Sequence, residues 1–180
     1  MEAYKIIITG GATRIGAAIA KKFSGINKEI LIHYNKSKSK AENLKKELEK
    51  SGTKIYLVRG DLSKETDINK IIKFAKLKLK YFDCLINNAS IFENDKLENF
   101  TTKSWEQHLK INLRAPALLT KAFSKNTRGK NNNIINITYS STTFILDTIL
   151  IMNDSSFPHF NFCPWTSSYV FLGGENATLV

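Results

Sequence analysis

Residues 5–20 read KIIITGGATRIGAAIA, and this stretch constrains the fold more than any other. Three β-branched residues, Ile6, Ile7 and Ile8, predict a buried strand. The turn Thr9-Gly10-Gly11-Ala12-Thr13-Arg14-Ile15-Gly16 then leads into small and apolar residues at helical spacing. A strand, a glycine turn and an Ala-rich helix start together open a βαβ unit suited to a nucleotide phosphate, because the helix N-terminus presents unpaired N–H groups. Gly10 and Gly11 let the chain turn off the strand. Gly16, without a Cβ, lets the helix approach strand and ligand. The plain alternative is a glycine turn that only joins strand to helix.

The rest of the first 138 residues continues the alternation. Strands are predicted at 29–34, 54–58, 81–86 and 133–137, and helices at 14–23, 41–51, 63–78 and 101–125, with a loop at 92–97. The helix from Ser63 carries a capping sequence, Ser63-Lys64-Glu65-Thr66-Asp67. Alternating strands and helices predict an α/β, Rossmann-like doubly wound parallel sheet of order 3-2-1-4-5. The end of the second strand is where such a fold selects its dinucleotide. An acid there bonds the adenosine ribose, whereas basic and hydroxyl groups take a 2′-phosphate. Residues 33–38 contain no acid and offer Lys36, Ser37 and Lys38, which favours NADPH over NADH through Lys36 and Ser37. Lys38 reads equally as part of a solvated turn. Asn87-Asn88-Ala89-Ser90 follows the fourth strand, beside the glycine turn, at the ligand-binding end of the sheet. Asn112 lies in an apolar helical face. Taken alone it reads either as a buried polar group bonded to nearby backbone or as a catalytic residue.

Charge divides the chain. Its net charge is +11, yet all 27 basic residues precede residue 131, and the last 50 residues carry only Asp147, Asp154 and Glu175. Acids interleave with the lysines in patterns such as KKELEK, without a basic block carrying aromatics, so the charge reads as solvated helix faces rather than a nucleic-acid surface. Cys84 and Cys163 have no metal-ligand spacing and make no disulfide framework, so no metal is expected and a cytoplasmic setting fits. The apolar runs are too short to span a bilayer, and the N-terminus enters its strand without signal-peptide architecture.

TGGATRIG, Asp61-Leu62, Asn87-Asn88-Ala89-Ser90, Asn112 and the strand IINIT, at these spacings, resemble the short-chain dehydrogenase/reductases over residues 4 to about 138. Arg14 where a glycine is usual, the segment His33-Tyr34-Asn35-Lys36-Ser37, and Phe92 after NNAS are most similar to the pteridine reductases and the related dihydromonapterin or dihydrofolate reductases. The resemblance implies that Thr9, Gly10, Thr13, Arg14, Ile15 and Gly16 line the pyrophosphate. Lys36 and Ser37 would meet the 2′-phosphate, Asp61 and Leu62 the adenine, and Asn87, Ala89 and Ser90 the nicotinamide ribose. Asn112 would hold the water chain of the proton relay. It also implies a pterin-like or carbonyl substrate, no nucleic-acid or membrane partner, and homo-oligomers among full-length relatives.

One departure bears on mechanism. The family's chemistry uses a Tyr with a Lys four residues on, beyond a Ser or Asp after the fifth strand. Here no lysine follows Lys130, Tyr139 is followed at that spacing by Thr143, and Tyr169 by Gly173. Two segments are therefore expected: 1–138, a dinucleotide-binding domain, and 139–180, an atypical tail read out of frame or replaced. The sheet is expected to be incomplete at its C-terminal end, with the sixth and seventh strands missing. By resemblance the chain is an NADPH-dependent oxidoreductase impaired in catalysis; the alternative is a non-catalytic dinucleotide-binding module.

Overall fold

A strand of consecutive β-branched residues cannot leave either face in water, and the sheet supplies cover on both. The computed structural model describes residues 2–92, 101–128, 132–139 and 168–173. β1 (Tyr4–Ile8) lies at the centre, with α1 (Arg14–Lys22), β2 (Lys28–Tyr34), α2 (Lys38–Glu49), β3 (Lys54–Arg59), α3 (Glu65–Leu79) and β4 (Cys84–Asn87) following in alternation. α4 (Thr102–His108), a π-helical segment (Leu109–Arg114) and α5 (Ala115–Ser124) then lead to β5 (Asn133–Tyr139). These five strands are all parallel, in the order 3-2-1-4-5. The predicted parallel sheet is thus present.

Side-chain alternation sorts the core into two layers. Ile7, paired in register with Leu31 and Leu85, faces the layer containing Ile71 of α3 and Leu119 of α5. Ile6 and Ile8, with Ile30 and Ile32, face the layer containing Ala20 of α1 and Leu44 of α2. Phe82 stacks on Phe123 at 6.1 Å between centroids, closing the first layer below β4. Cys84 belongs to the second layer, where burial, with a smaller contribution from the charge of Asp83, pushes its thiol up to about 12 and leaves it unreactive.

Local structure departs from the sequence expectations at four places. Ser63 does not cap α3; its hydroxyl donates to Asp61 Oδ1, and the N-cap position falls on Lys64. The predicted helix at 101–125 is interrupted. Thr101 and Ser104 close a reciprocal capping box at its start, but Pro116 has no N–H for the carbonyl four residues back, that of Asn112, and the chain widens into the π-helical segment there. Asn112 is consequently exposed rather than buried. Finally, Ser168–Gly173 forms a sixth strand, β6, within the segment expected to leave the sheet incomplete. It pairs antiparallel to β5, from Ile134 opposite Gly173 to Tyr139 opposite Ser168. An antiparallel edge strand needs no crossover helix to join a parallel sheet. The 93–97 part of the predicted loop, Cys163 and the rest of the tail lie outside the described residues. Among the described residues, no helix is long and apolar enough to cross a membrane.

The two-layer core makes a direct prediction. Leu85→Ala removes a fully buried side chain between β1 and the α3/α5 layer and is expected to cost about 2–5 kcal/mol, read as a lower urea midpoint at unchanged slope.

Candidate functional site

All five parallel strands point their carboxyl ends to one edge, and the order reverses between β1 and β4, where an open α/β sheet forms its ligand crevice. The glycine turn leaves β1 at that position. Gly10 adopts φ +62°, a region open to glycine without steric cost. Gly16 sits where a Cβ would lie 2.4 Å from the Gly10 carbonyl oxygen and 2.5 Å from Asn88 Nδ2. The helix therefore begins pressed against the turn, and its first N–H groups face the crevice without intrahelical acceptors. Thr13 is the N-cap of α1 and makes no side-chain cap bond, so nothing from its own side chain occupies those donors. Arg14 opens α1 at φ +49°, a conformation costing a non-glycine residue about 1–2 kcal/mol, and both Arg14 and Ile15 are exposed beside the turn.

The turn is fastened to the end of β4. Thr9 N–H donates to the Ile86 carbonyl at 3.0 Å, and Thr9 Oγ1 accepts the backbone N–H groups of Asn88 and Ala89, both at 3.0 Å. Asn88 Nδ2 returns two bonds, to the carbonyls of Thr9 at 2.8 Å and Gly10 at 3.2 Å. The sequence motif alone assigns Asn88 no role; its signal is a second polar residue at the mouth of a buried strand. Asn87 is buried and donates through Nδ2 to Asn136 Oδ1 on β5 at 2.8 Å, while its own Oδ1 meets no partner among the described residues. Ala89 is half-buried and Ser90 exposed at the same edge.

On the other side of β1, Lys36 is exposed after β2, and Ser37 is the N-cap of α2 with no side-chain cap bond. Lys38 belongs to α2 and lies 3.7 Å from Glu42. Asp61 N–H donates to Asp67 Oδ2 at 2.8 Å, and Asp61 Oδ1 accepts the Ser63 N–H and hydroxyl. Burial opposes ionisation of Asp61, but the two Ser63 bonds and the charges of Lys64 and Lys36 together hold its carboxyl below the usual value. Leu62 is buried in the α3/α5 layer, so only its backbone is available at the site surface. Asn112, in the π-helical segment, bonds the main chain of Ile91 twice: Oδ1 accepts its N–H and Nδ2 donates to its carbonyl, each at 3.0 Å. Arg114, unremarked in the sequence, donates to the Ser63 carbonyl at 2.6 Å. The structure thus gathers the glycine turn, Lys36 and Ser37, Asp61, and Asn87 to Ser90 along one edge. Among the described residues, no three His, Cys, Asp or Glu side chains converge as a metal site.

These residues fit a dinucleotide: a cradle without side chains at the helix start, a cation and a free hydroxyl beyond β2, and an orphan amide oxygen at β4. Gly16→Ala tests the cradle, because its Cβ meets backbone and a doubly bonded amide rather than a flexible chain end. It is expected to destabilise the protein by at least about 1–3 kcal/mol and to displace the turn, seen as a lower melting temperature and shifted amide resonances at 9–16.

Comparison with known proteins agrees with this geometry. The short chain dehydrogenase family model matches residues 4–145. A short-chain dehydrogenase/reductase, FrzI, from Cladobotryum sp is 32% identical over 131 residues, covering 73% of this chain and 50% of the relative. The crystal structure of a blue fluorescent protein from a metagenomic library, in complex with NADPH, superposes with a TM-score of 0.69 at 28% identity, covering 75% of this chain and 55% of that one. That of the FolM alternative dihydrofolate reductase from Brucella canis, complexed with NADP, gives a TM-score of 0.64 at 29% identity, covering 69% and 50%. The chain spans about half the length of these relatives. With the glycine turn, the sheet order and the family match over most of its length in agreement, the chain belongs to the short-chain dehydrogenase family.

Proposed function

We propose that residues 1–138 form an NADPH-binding domain of a reductase and that residues 139–180 are an atypical segment which leaves its chemistry impaired. The observation that carries the binding half is the glycine turn, locked to β4 by Thr9 and Asn88 with the start of α1 open to an anion. Thr9, Gly10, Thr13, Arg14, Ile15 and Gly16 would hold the pyrophosphate. Lys36 and Ser37 would take the 2′-phosphate, the Asp61–Leu62 corner the adenine, and Asn87, Ala89 and Ser90 the nicotinamide ribose. The bound NADPH and NADP of the blue fluorescent protein and the FolM reductase support this assignment. The likeness to the FolM protein also supports a pterin-like substrate, with hydride supplied to a C=N or C=O bond by the bound cofactor.

Proton delivery is where this chain falls short. No Tyr is followed four residues later by Lys, and none of the 50 residues after Lys130 is Lys or Arg. Tyr139 ends β5 with its backbone in register with Ser168, and the residue four positions on is Thr143, not lysine. Asn112 retains a family position but spends both amide groups on Ile91. These features favour the second reading, a dinucleotide-binding module without turnover.

Two measurements test the proposal. NADPH is expected to bind more tightly than NADH in fluorescence titrations, and Lys36→Asp to reverse the order, since the acid repels the 2′-phosphate and bonds the free ribose. Equal affinities in the parent chain would remove the Lys36 and Ser37 assignment. NADPH oxidation with dihydropterins, quinonoid pterins and simple ketones is expected to stay at background, because positioned proton transfer contributes roughly 10²–10⁴ in rate. Turnover near roughly 10 per second, lost in Tyr139→Phe, would overturn the impaired-chemistry reading.

A further inference from the structure

His33 is a buried ring to which the proposed site gives no role. It lies in β2, 2% exposed, opposite Val58 of β3. Both ring nitrogens are engaged. The Gly10 N–H donates to Nδ1 at 3.2 Å, and Nε2 lies 3.0 Å from the Gly60 carbonyl oxygen. An amide N–H only donates and a carbonyl only accepts, so these partners fix the tautomer: Nδ1 bare, Nε2 protonated, ring neutral. The His33 carbonyl accepts the next amide of the turn, Gly11 N–H, at 3.1 Å. One residue thereby pins two consecutive amides of the glycine turn and reaches the residue preceding Asp61.

We propose that His33 is a positioning residue of the dinucleotide site, its neutral ring tying the glycine turn after β1 to the Gly60–Asp61 corner after β3. The inference deepens the NADPH reading and rests on it. Gly10, at φ +62°, has no side chain to hold its conformation, so the turn keeps its shape through contacts of this kind. A proton on Nδ1 would set one N–H donor against another and release Gly10 from the ring. Burial disfavours that proton and lowers the His33 pKa, while the Gly60 bond and the charges of Asp61 and Asp67 work against the shift. Those two carboxylates are the charged groups facing the ring from the β3 corner and from α3, and residues 9–13 bring none from the β1 side. Because the folded pKa is depressed, the unfolded chain binds the extra proton first. The contribution is complete above the ordinary histidine pKa of about 6.5 and is lost as pH falls from there through the folded value.

The test uses the full chain with His33→Asn and His33→Gln, whose folding is checked by melting temperature at each pH. Asn places an amide oxygen near the Nδ1 position and cannot titrate, whereas Gln reaches toward Gly60 and leaves Gly10 unpaired. At pH 8 the Asn variant is expected to bind NADPH within about twofold of the parent and the Gln variant roughly five- to tenfold more weakly, the effect of one neutral hydrogen bond. From pH 7 to 5 the parent should lose more melting temperature than the Asn variant, because the unfolded ring takes up a proton that the buried ring disfavours. Every other titrating group is shared by the two chains, so the difference between the two pH curves belongs to His33. Ring ¹⁵N resonances of the parent are expected to show a bare Nδ1 and a protonated Nε2 at neutral pH. Parallel parent and Asn curves, a Gln variant binding like the parent, or a protonated Nδ1 would overturn the role of His33 while leaving NADPH binding intact. A parent chain that binds no dinucleotide at any pH would overturn both. If the Asn variant does not fold, the Gln ratio and the ring tautomer decide.

Discussion

The fastening of Thr9 to the end of β4 is the interaction on which the site edge depends. Where the strand order reverses, β1 and β4 run past their pairing, and main-chain groups of residues 9 and 10 and of residues 88 and 89 would face the crevice unsatisfied. An unpaired buried backbone group costs about 1–3 kcal/mol, so this end of the sheet could not stay closed on apolar packing alone. Thr9 and Asn88 supply the missing partners reciprocally, hydroxyl to amide and amide to carbonyl. Gly16 must then be glycine, because the helix has to begin within contact distance of Asn88 and the Gly10 carbonyl. The open helix N-terminus follows from satisfying the turn elsewhere, through β4 and His33, and leaving the first-turn donors free.

Much of this was legible because the parallel core leaves one solution. Ile6, Ile7 and Ile8 demand cover on both faces, and the two-layer sorting of Ile7 against its neighbours follows from strand alternation alone. What escaped the sequence were choices made by tertiary partners. Ser63 reads as a cap, but Asp61 competes for its hydroxyl and wins because the chain turns tightly after β3. His33 reads as the last polar residue of a strand, and only the fold brings Gly10 and Gly60 to opposite sides of its ring. Residues 168–173 carry an aromatic and β-branched strand run closed by a glycine pair, but their antiparallel partner, β5, is a long-range contact that local periodicity does not reveal.

The electrostatics of the edge are arranged in separate zones. Asp61 stays ionised through Ser63 and the nearby lysines, but its bonds are spent within its own corner. Its Oδ1 shapes the corner after β3, while its carboxyl feels the charge of Lys36, which lies with the unengaged Ser37 hydroxyl beyond the end of β2. A chain with a net positive charge of +11 already attracts anions; the zoning determines where along the edge a phosphate would rest.

The π-helical segment ties the two halves of this edge together. Pro116 removes one α-helical donor, and the widened turn it leaves at Asn112 and Arg114 aims their side chains in different directions. Asn112 clamps the chain after β4 at Ile91, and Arg114 reaches across to Ser63, beside Asp61. A regular α-helix would place residues 112 and 114 about 200° apart around its axis at a smaller radius, and the extra residue per turn of the π form changes that angle. The irregularity therefore has a structural consequence independent of any proton relay: it braces the β4 exit and the β3 exit from one point, on the side of the sheet where α3 and α5 already pack. Arg114 Nε is buried without a partner among the described residues, a desolvation cost accepted for the Ser63 bond, and this is the sort of cost a fold carries where position matters more than stability.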